Sequence, residues 1–180
     1  GFGENGEDDN DSDLTIDFGV FQPMAIGNRV WSDNGVGGGI NDNGIQDGGE
    51  LGIFNVTVNL YRDANGDGTV DLTDLVEGVP YASTTTDADG YYLFDYLPEG
   101  TYIVEIPFTM FDAAGDPLFQ SFSSNSAAPE MDNTPDQNDS GIDEPIPSVN
   151  GVRSPQIILA LGTEPSTTNL PDDTDLSPDG

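Results

Sequence analysis

Thirty-four aspartates and glutamates face three arginines (Arg29, Arg62, Arg153) in this chain of 180 residues, and lysine is absent. A formal charge of −31 repels itself at low ionic strength. A compact fold must therefore spread its carboxylates out or bring in cations. The same imbalance excludes two classes of partner. Nucleic-acid affinity comes from Lys and Arg neutralising phosphates, and anionic membranes attract basic segments. Divalent cations are the obvious counter-charge. Cysteine and histidine are also missing, so there is no disulfide, thiol nucleophile or Ser-His-Asp triad, and without lysine there is no Schiff base. A hydrolase built on paired carboxylates is the one enzymatic class left open. Loop composition accounts for the acids without it, and no enzyme is expected.

The stretch Asp63-Ala64-Asn65-Gly66-Asp67-Gly68-Thr69-Val70-Asp71-Leu72-Thr73-Asp74 places oxygen-bearing side chains at loop positions 1, 3, 5, 9 and 12, with glycine at position 6. That is the spacing of a calcium loop of the EF-hand type. Asp63, Asn65 and Asp67 can converge on one ion, and Gly68 permits the turn that brings the Thr69 carbonyl round. Asp71 and Asp74 close the set. The plain alternative is a polar turn between two strands. Asp rather than Glu at position 12 resembles the dockerin version of this loop.

A second acidic loop runs from Ser32 to Glu50. Counting back from Glu50 as position 12 puts Asp47 at 9, the Ile45 carbonyl at 7, Asn43 at 5 and Asn41 at 3. Position 1 falls on Gly39, which has no side-chain oxygen. Asp33 fills that role if Gly35–Ile40 is an insertion. The glycine run lacks the Walker lysine and is no phosphate cradle; it reads as a flexible bulge. A third cluster, residues 132–144, fits no metal template and serves equally as a cation site or a solvated loop. Two calcium ions are expected, with a third site open. Weak acidic calcium loops belong chiefly to extracellular modules, where calcium is millimolar. The three Asn-x-Ser/Thr sequons, at Asn10, Asn55 and Asn138, read as chance in so Asn-rich a chain.

Along the chain, residues 1–13 read as a flexible acidic arm. Leu14, Ile16, Phe18 and Val20 alternate with more polar positions and predict a strand ending at Gln22-Pro23. Further strands are expected over 25–31 (with Trp31 as a core or edge packer), 53–61 with Phe54, Val56, Val58 and Leu60 on one face, 81–86, 91–94, 101–107 and 153–161. Leu118–Phe122 is an additional candidate. Short strands, Gly/Pro/Asp turns and no helical period predict an all-β antiparallel sandwich over 23–161. Residues 162–180 read as an acidic tail or linker. No leader is visible at Gly1 and no apolar run is long enough to cross a bilayer.

IGNRVW at 26–31, Asp33, NGIQDGGE at 43–50, VTVNLYRDANGDG at 56–68 and TTTDADGYYLFDYLPEGTYIVEI at 84–106 resemble the SdrD B-like domain of serine-aspartate-repeat adhesins. This belongs to the collagen-adhesin B-type, transthyretin-like group. The resemblance implies a seven-stranded Ig-like sandwich, bound calcium and tandem arrays in surface stalks. It groups Asp33, Asn41, Asn43, Asp47 and Glu50 as one site and Asp63, Asn65, Asp67 and Asp74 as another. The Lys–Asn isopeptide bond of some relatives cannot form without lysine. In the resembled family a module closes with a strand reading Thr-Ile-Asp-x-Gly, and here that motif stands at the front, over 14–21. The expectation is a non-enzymatic extracellular subunit or repeat that associates with its own kind head-to-tail, with residues 14–21 either completing a neighbour's sandwich, folding back into their own module or belonging to a preceding repeat. An adhesive head for a protein or carbohydrate ligand is the alternative.

Overall fold

The computed structural model describes residues 18–66, 70, 74, 79–124 and 141–161. The fold is all-β, with two antiparallel sheets packed as a sandwich. The smaller sheet pairs β1 (Met24–Arg29) with β4 (Tyr91–Leu97). The larger orders β3 (Ala82–Thr85), β2 (Thr57–Arg62), β5 (Gly100–Ile106) and β6 (Val152–Arg153), with β7 (Ile157–Leu159) also on β5.

Alternation decides which face is buried. Val58 and Leu60 on β2 and Tyr102 and Val104 on β5 meet Ile26, Phe94 and Leu97 of the smaller sheet. Each side chain of this size stabilises the fold by roughly 1.5–3 kcal/mol when buried. A second cluster, Val56 with Phe111 and Leu118, lies under no strand of the smaller sheet. The segment following β5 covers it instead. A third group, Tyr61, Val70 and Ile103, holds the middle of the Asp63–Asp74 loop against the larger sheet.

Several expected strands are redrawn. The 53–61 strand begins only at Thr57, because Asn55 adopts a left-handed backbone (φ 63) that breaks the continuous ladder there. Phe54 is consequently exposed rather than on the core face. Leu118–Phe122 is a turn, not a strand: Gln120 reverses the chain at φ 63, and Leu118 alone is buried. The 153–161 strand is split into β6 and β7. Pro155 has no N–H to give a ladder, and the Ser154 hydroxyl accepts from Val104 N at 3.0 Å instead. Of the expected 14–21 strand, residues 14–17 lie outside the described residues, while 18–23 pair with nothing in a ladder. One extra residue in β4 between Phe94 and Leu97 makes a bulge opposite Met24–Ile26, with Tyr96 at φ 55.

Two buried polar groups tie neighbouring segments of the larger sheet together. Thr86 Oγ1 accepts from Val56 N (2.9 Å) and donates to Ile53 O (2.7 Å), adding to the main-chain bonds from Asn55 N to Thr86 O and from Thr86 N to Val56 O at the Asn55 turn. Glu105, buried on β5, accepts from Arg153 Nε at 2.9 Å and so ties β6 to β5.

Thr86→Val keeps the shape but leaves a buried amide and carbonyl without partners, so it should destabilise the fold by about 2–3 kcal/mol in urea unfolding. Thr86→Ser should retain most of the stability.

Alkali should also unfold the protein. Burial, and after it the charge of Glu105, pushes the Tyr61 hydroxyl up to about 12 from 10.0. Burial does the same to Tyr92. The folded state therefore holds these protons after the unfolded chain has lost them. Their effect is absent below the unfolded value of 10.0 and removes stability progressively from there to about 12. The urea midpoint should fall over that window, and less steeply in Tyr61→Phe.

Candidate metal centre

The Ser32–Glu50 loop departs from the end of β1 and returns to β2 through an antiparallel bridge between Trp31 and Gly52. Glu50 is the residue that closes it. Its carboxylate is buried and accepts three main-chain N–H groups: Asn34 at 2.8 Å and Gly35 at 2.7 Å on Oε1, and Asp47 at 3.2 Å on Oε2. One side chain thus clamps the start of the loop to its end. Asp33 works in the other direction, accepting from Asp42 N and Gly44 N at 2.8 Å each. Asp47 Oδ1 accepts from Ile40 N at 3.0 Å, and its Oδ2 accepts from Asn43 Nδ2 at 3.3 Å. Asn43 Oδ1 in turn accepts from Ile45 N. Asn41 bridges Asn34 through the main chain.

The glycine run is not the flexible bulge expected of it. Val36–Gly38 forms a short 3-10 turn packed on the 47–49 segment, with Gly49 N bonded to Val36 O at 2.8 Å. Gly37 has φ 74, and a Cβ there would sit 2.7 Å from Gly49 N. The glycine run therefore shapes the loop, because only glycine allows this backbone-to-backbone approach.

Asp33, Asn43, Asp47 and Glu50 are brought into one connected network, and Ile45 is held in it through its N–H. Asn34 belongs to it as well, donating to Glu50 through its N–H and accepting from Val36 N at 3.1 Å. Sequence reasoning passed over Asn34. Its signal was an Asn directly before glycine, the composition of an Asx turn. Among the described residues no three acidic side chains close into one cluster. The donor set is nonetheless hard oxygen throughout, which suits calcium. A carboxylate offers about four lone-pair sites, so the amide bonds leave capacity for a cation. Residues 32–52 hold Asp33, Asp42, Asp47 and Glu50 and no basic residue. The nearest arginine in sequence, Arg29, donates to Asp89 O and stacks over Tyr91.

The second loop leaves β2 at Asp63. Asp63 Oδ1 accepts from Gly66 N at 2.7 Å, and Asp74 Oδ1 accepts from Ala64 N at 2.9 Å. Position 12 is therefore back beside position 2, and buried Val70 at position 8 anchors the arc between them. Asn65 lies on that arc; Asp67, Thr69 and Asp71 lie outside the described residues. Of the third cluster, only Asp143 and Glu144 are described from its carboxylates. Hydrogen bonds from Asn150 Nδ2 and Ile146 N hold the Glu144 carboxyl below its ordinary value, beside the Pro147–Asn150 helical turn.

This architecture, a small antiparallel sandwich with an acidic loop before and after one central strand, defines a class, and the family model for the SdrD B-like domain matches residues 24–145. The chain belongs to that family. It is 39% identical over 95 residues to Colossin-B of Dictyostelium discoideum, covering 53% of this chain and 2% of that protein. It is 39% identical over 102 residues to serine-aspartate repeat-containing protein D of Staphylococcus aureus strain Newman, covering 56% and 6%. Serine-aspartate repeat-containing protein F of Staphylococcus epidermidis matches at 39% over 92 residues, covering 51% and 4%. The chain thus spans a few hundredths of the length of these relatives. No solved structure matches it.

Glu50→Ala should destabilise the fold even in chelator, by about 1–3 kcal/mol, because buried amides lose their acceptor. Glu50→Gln, which keeps one acceptor oxygen, should lose less. Urea unfolding in EDTA measures both.

Proposed function

We propose that the chain is a non-enzymatic, extracellular structural module whose loops are locked by calcium, and that it associates with its own kind into a stalk or fibre. The observation that carries this reading is the 32–50 loop. Three carboxylates there, Asp33, Asp47 and Glu50, accept main-chain amides, with Glu50 buried and no basic residue in the loop. Buried charge is tolerated when it is paired or coordinates a metal. Asp33, Asn41, Asn43, Ile45 (through its carbonyl), Asp47 and Glu50 would hold one ion. Asp63, Asn65, Asp67, Thr69 (carbonyl), Asp71 and Asp74 would hold another. Bound calcium would supply the missing positive charge and stiffen both loops. Two of the named relatives, proteins D and F, are repeat-containing, which fits a module used in series at a cell surface.

An adhesive head is favoured by one specific observation. Tyr91 and Leu93 stand exposed on the outer face of the β1–β4 sheet, with Tyr96 exposed at the bulge and Arg29 5.0 Å over the Tyr91 ring. A protein or carbohydrate ligand would meet this face.

Calcium at ~100 times its dissociation constant adds ~2.7 kcal/mol per site. For a domain of this size that raises the melting temperature by about 5–10 °C. EDTA should remove the shift, and Asp33→Ala and Asp63→Ala should each remove about one site's share. Superimposable melting curves with calcium and with chelator would overturn the reading.

A further inference from the structure

We infer that the free edge of β1, together with the cavity beyond its C-terminal end, is the docking site for residues 14–21 of a second copy of this chain, taken up parallel to β1. The inference rests on the reading of the chain as a self-associating subunit and names the surfaces that join.

The acceptor follows from the unequal sheets. β1 pairs with β4 on one side and, among the described residues, with no strand on the other. The remaining sheet edges are blunted. β4 carries the Tyr96 bulge, β3 is four residues long, and β6 and β7 are interrupted around Pro155. Such features are how edges avoid pairing; β1, six residues long, has none of its own. A cavity of ≈ 550 Å³ opens where β1 ends, between Trp31, Ile53, Ile106, Phe111, Phe122 and Val152. This is the part of the larger sheet that the smaller one fails to cover. Trp31 Nε1 and Ser123 Oγ, on residues that line it, are buried without a hydrogen-bond partner. A peptide main chain carries a donor or acceptor at every residue.

The occupant follows from the other end of β1. Phe18, Val20 and Phe21 are 87%, 95% and 59% exposed, a row of large apolar side chains with nothing on them. Leu14 and Ile16 extend the same alternation. This segment cannot reach the β1 edge of its own molecule by a tight hairpin. Only Gln22 and Pro23 separate it from β1. Two-residue hairpins need positive φ at one or both central positions, supplied by Gly or Asn. Proline is locked near −65° and pushes the residue before it into extended conformation. The segment therefore leaves the Met24 end of β1 pointing away, while the cavity lies beyond the Arg29 end. Translating one copy along the strand axis brings its segment into the next copy's cavity. The segment then runs in the same direction as β1. The contact is heterologous and does not close, so it repeats.

The absence of cysteine makes cross-linking a clean test in the full chain. Ala25→Cys, exposed on β1, is combined in turn with Thr15→Cys, Asp17→Cys and Gly19→Cys to scan the register. Mild oxidation should give a ladder of disulfide-linked multimers on a non-reducing gel for at least one pairing, against dimers at most for the single cysteines. Phe18→Asp added to that pairing should abolish the ladder while leaving the far-ultraviolet circular dichroism spectrum of the folded chain unchanged. Fast-migrating linked monomers alone, no ladder in any pairing, or a ladder indifferent to Phe18→Asp would overturn the inference. Calcium-dependent melting, measured on the same proteins, is independent of all these outcomes, so failure here and failure of the calcium reading are distinguishable.

Discussion

The interior rests on one row of side chains. Val56, Val58 and Leu60, all fully buried, form a line along and just before β2. Val58 and Leu60 belong to the cluster between the sheets, and Val56 to the cluster roofed by the segment after β5. Both acidic loops hang from this row, one returning through Glu50 just before it and one leaving at Asp63 just after it. A chain with so much repulsion folds because apolar burial is concentrated in a short stretch and carboxylates are relegated to what flanks it. Burial at roughly 25 cal/mol per Å² of apolar surface is insensitive to salt, whereas the flanking repulsion is screened within about 10 Å at 0.1 M.

Much of this was legible in the residues. Strict alternation made β2, β4 and β5 visible, since period-2 burial against a second sheet requires it. The misreadings share a cause. At Asn55, Gln120 and Pro155 a single backbone preference overrode an apolar pattern that continued on either side. Phe54, Leu118 and Phe122 were counted as strand positions because hydrophobicity carries no information about φ. The loops divide in the same way. Asp33, Asn43, Asp47 and Glu50 could be picked out by spacing, but the direction of their hydrogen bonds could not. The glycine run looked like slack because composition alone does not reveal that Gly37 and Gly48 pack against backbone.

Arginine is scarce enough that each of the three has a distinct task. Arg153 neutralises buried Glu105. Arg62 sits 5.8 Å from the rings of both Tyr81 and Tyr102 and donates to Glu99 O. Arg29 joins Tyr91 to the Asp89 carbonyl. In each case the guanidinium binds across strands or to a turn, where its flat fork reaches partners a lysine would not hold in register. Positive charge in this chain is thus used for joining elements.

The blunted edges have a consequence for material shape. A protein whose every sheet border accepted strands would thicken sideways into mats or tangled aggregates. Here a bulge, a short strand and a proline break blunt three borders, so growth through the proposed β1 contact would be confined to a single dimension. Length would increase without width, and the proposed fibre would have the diameter of one module.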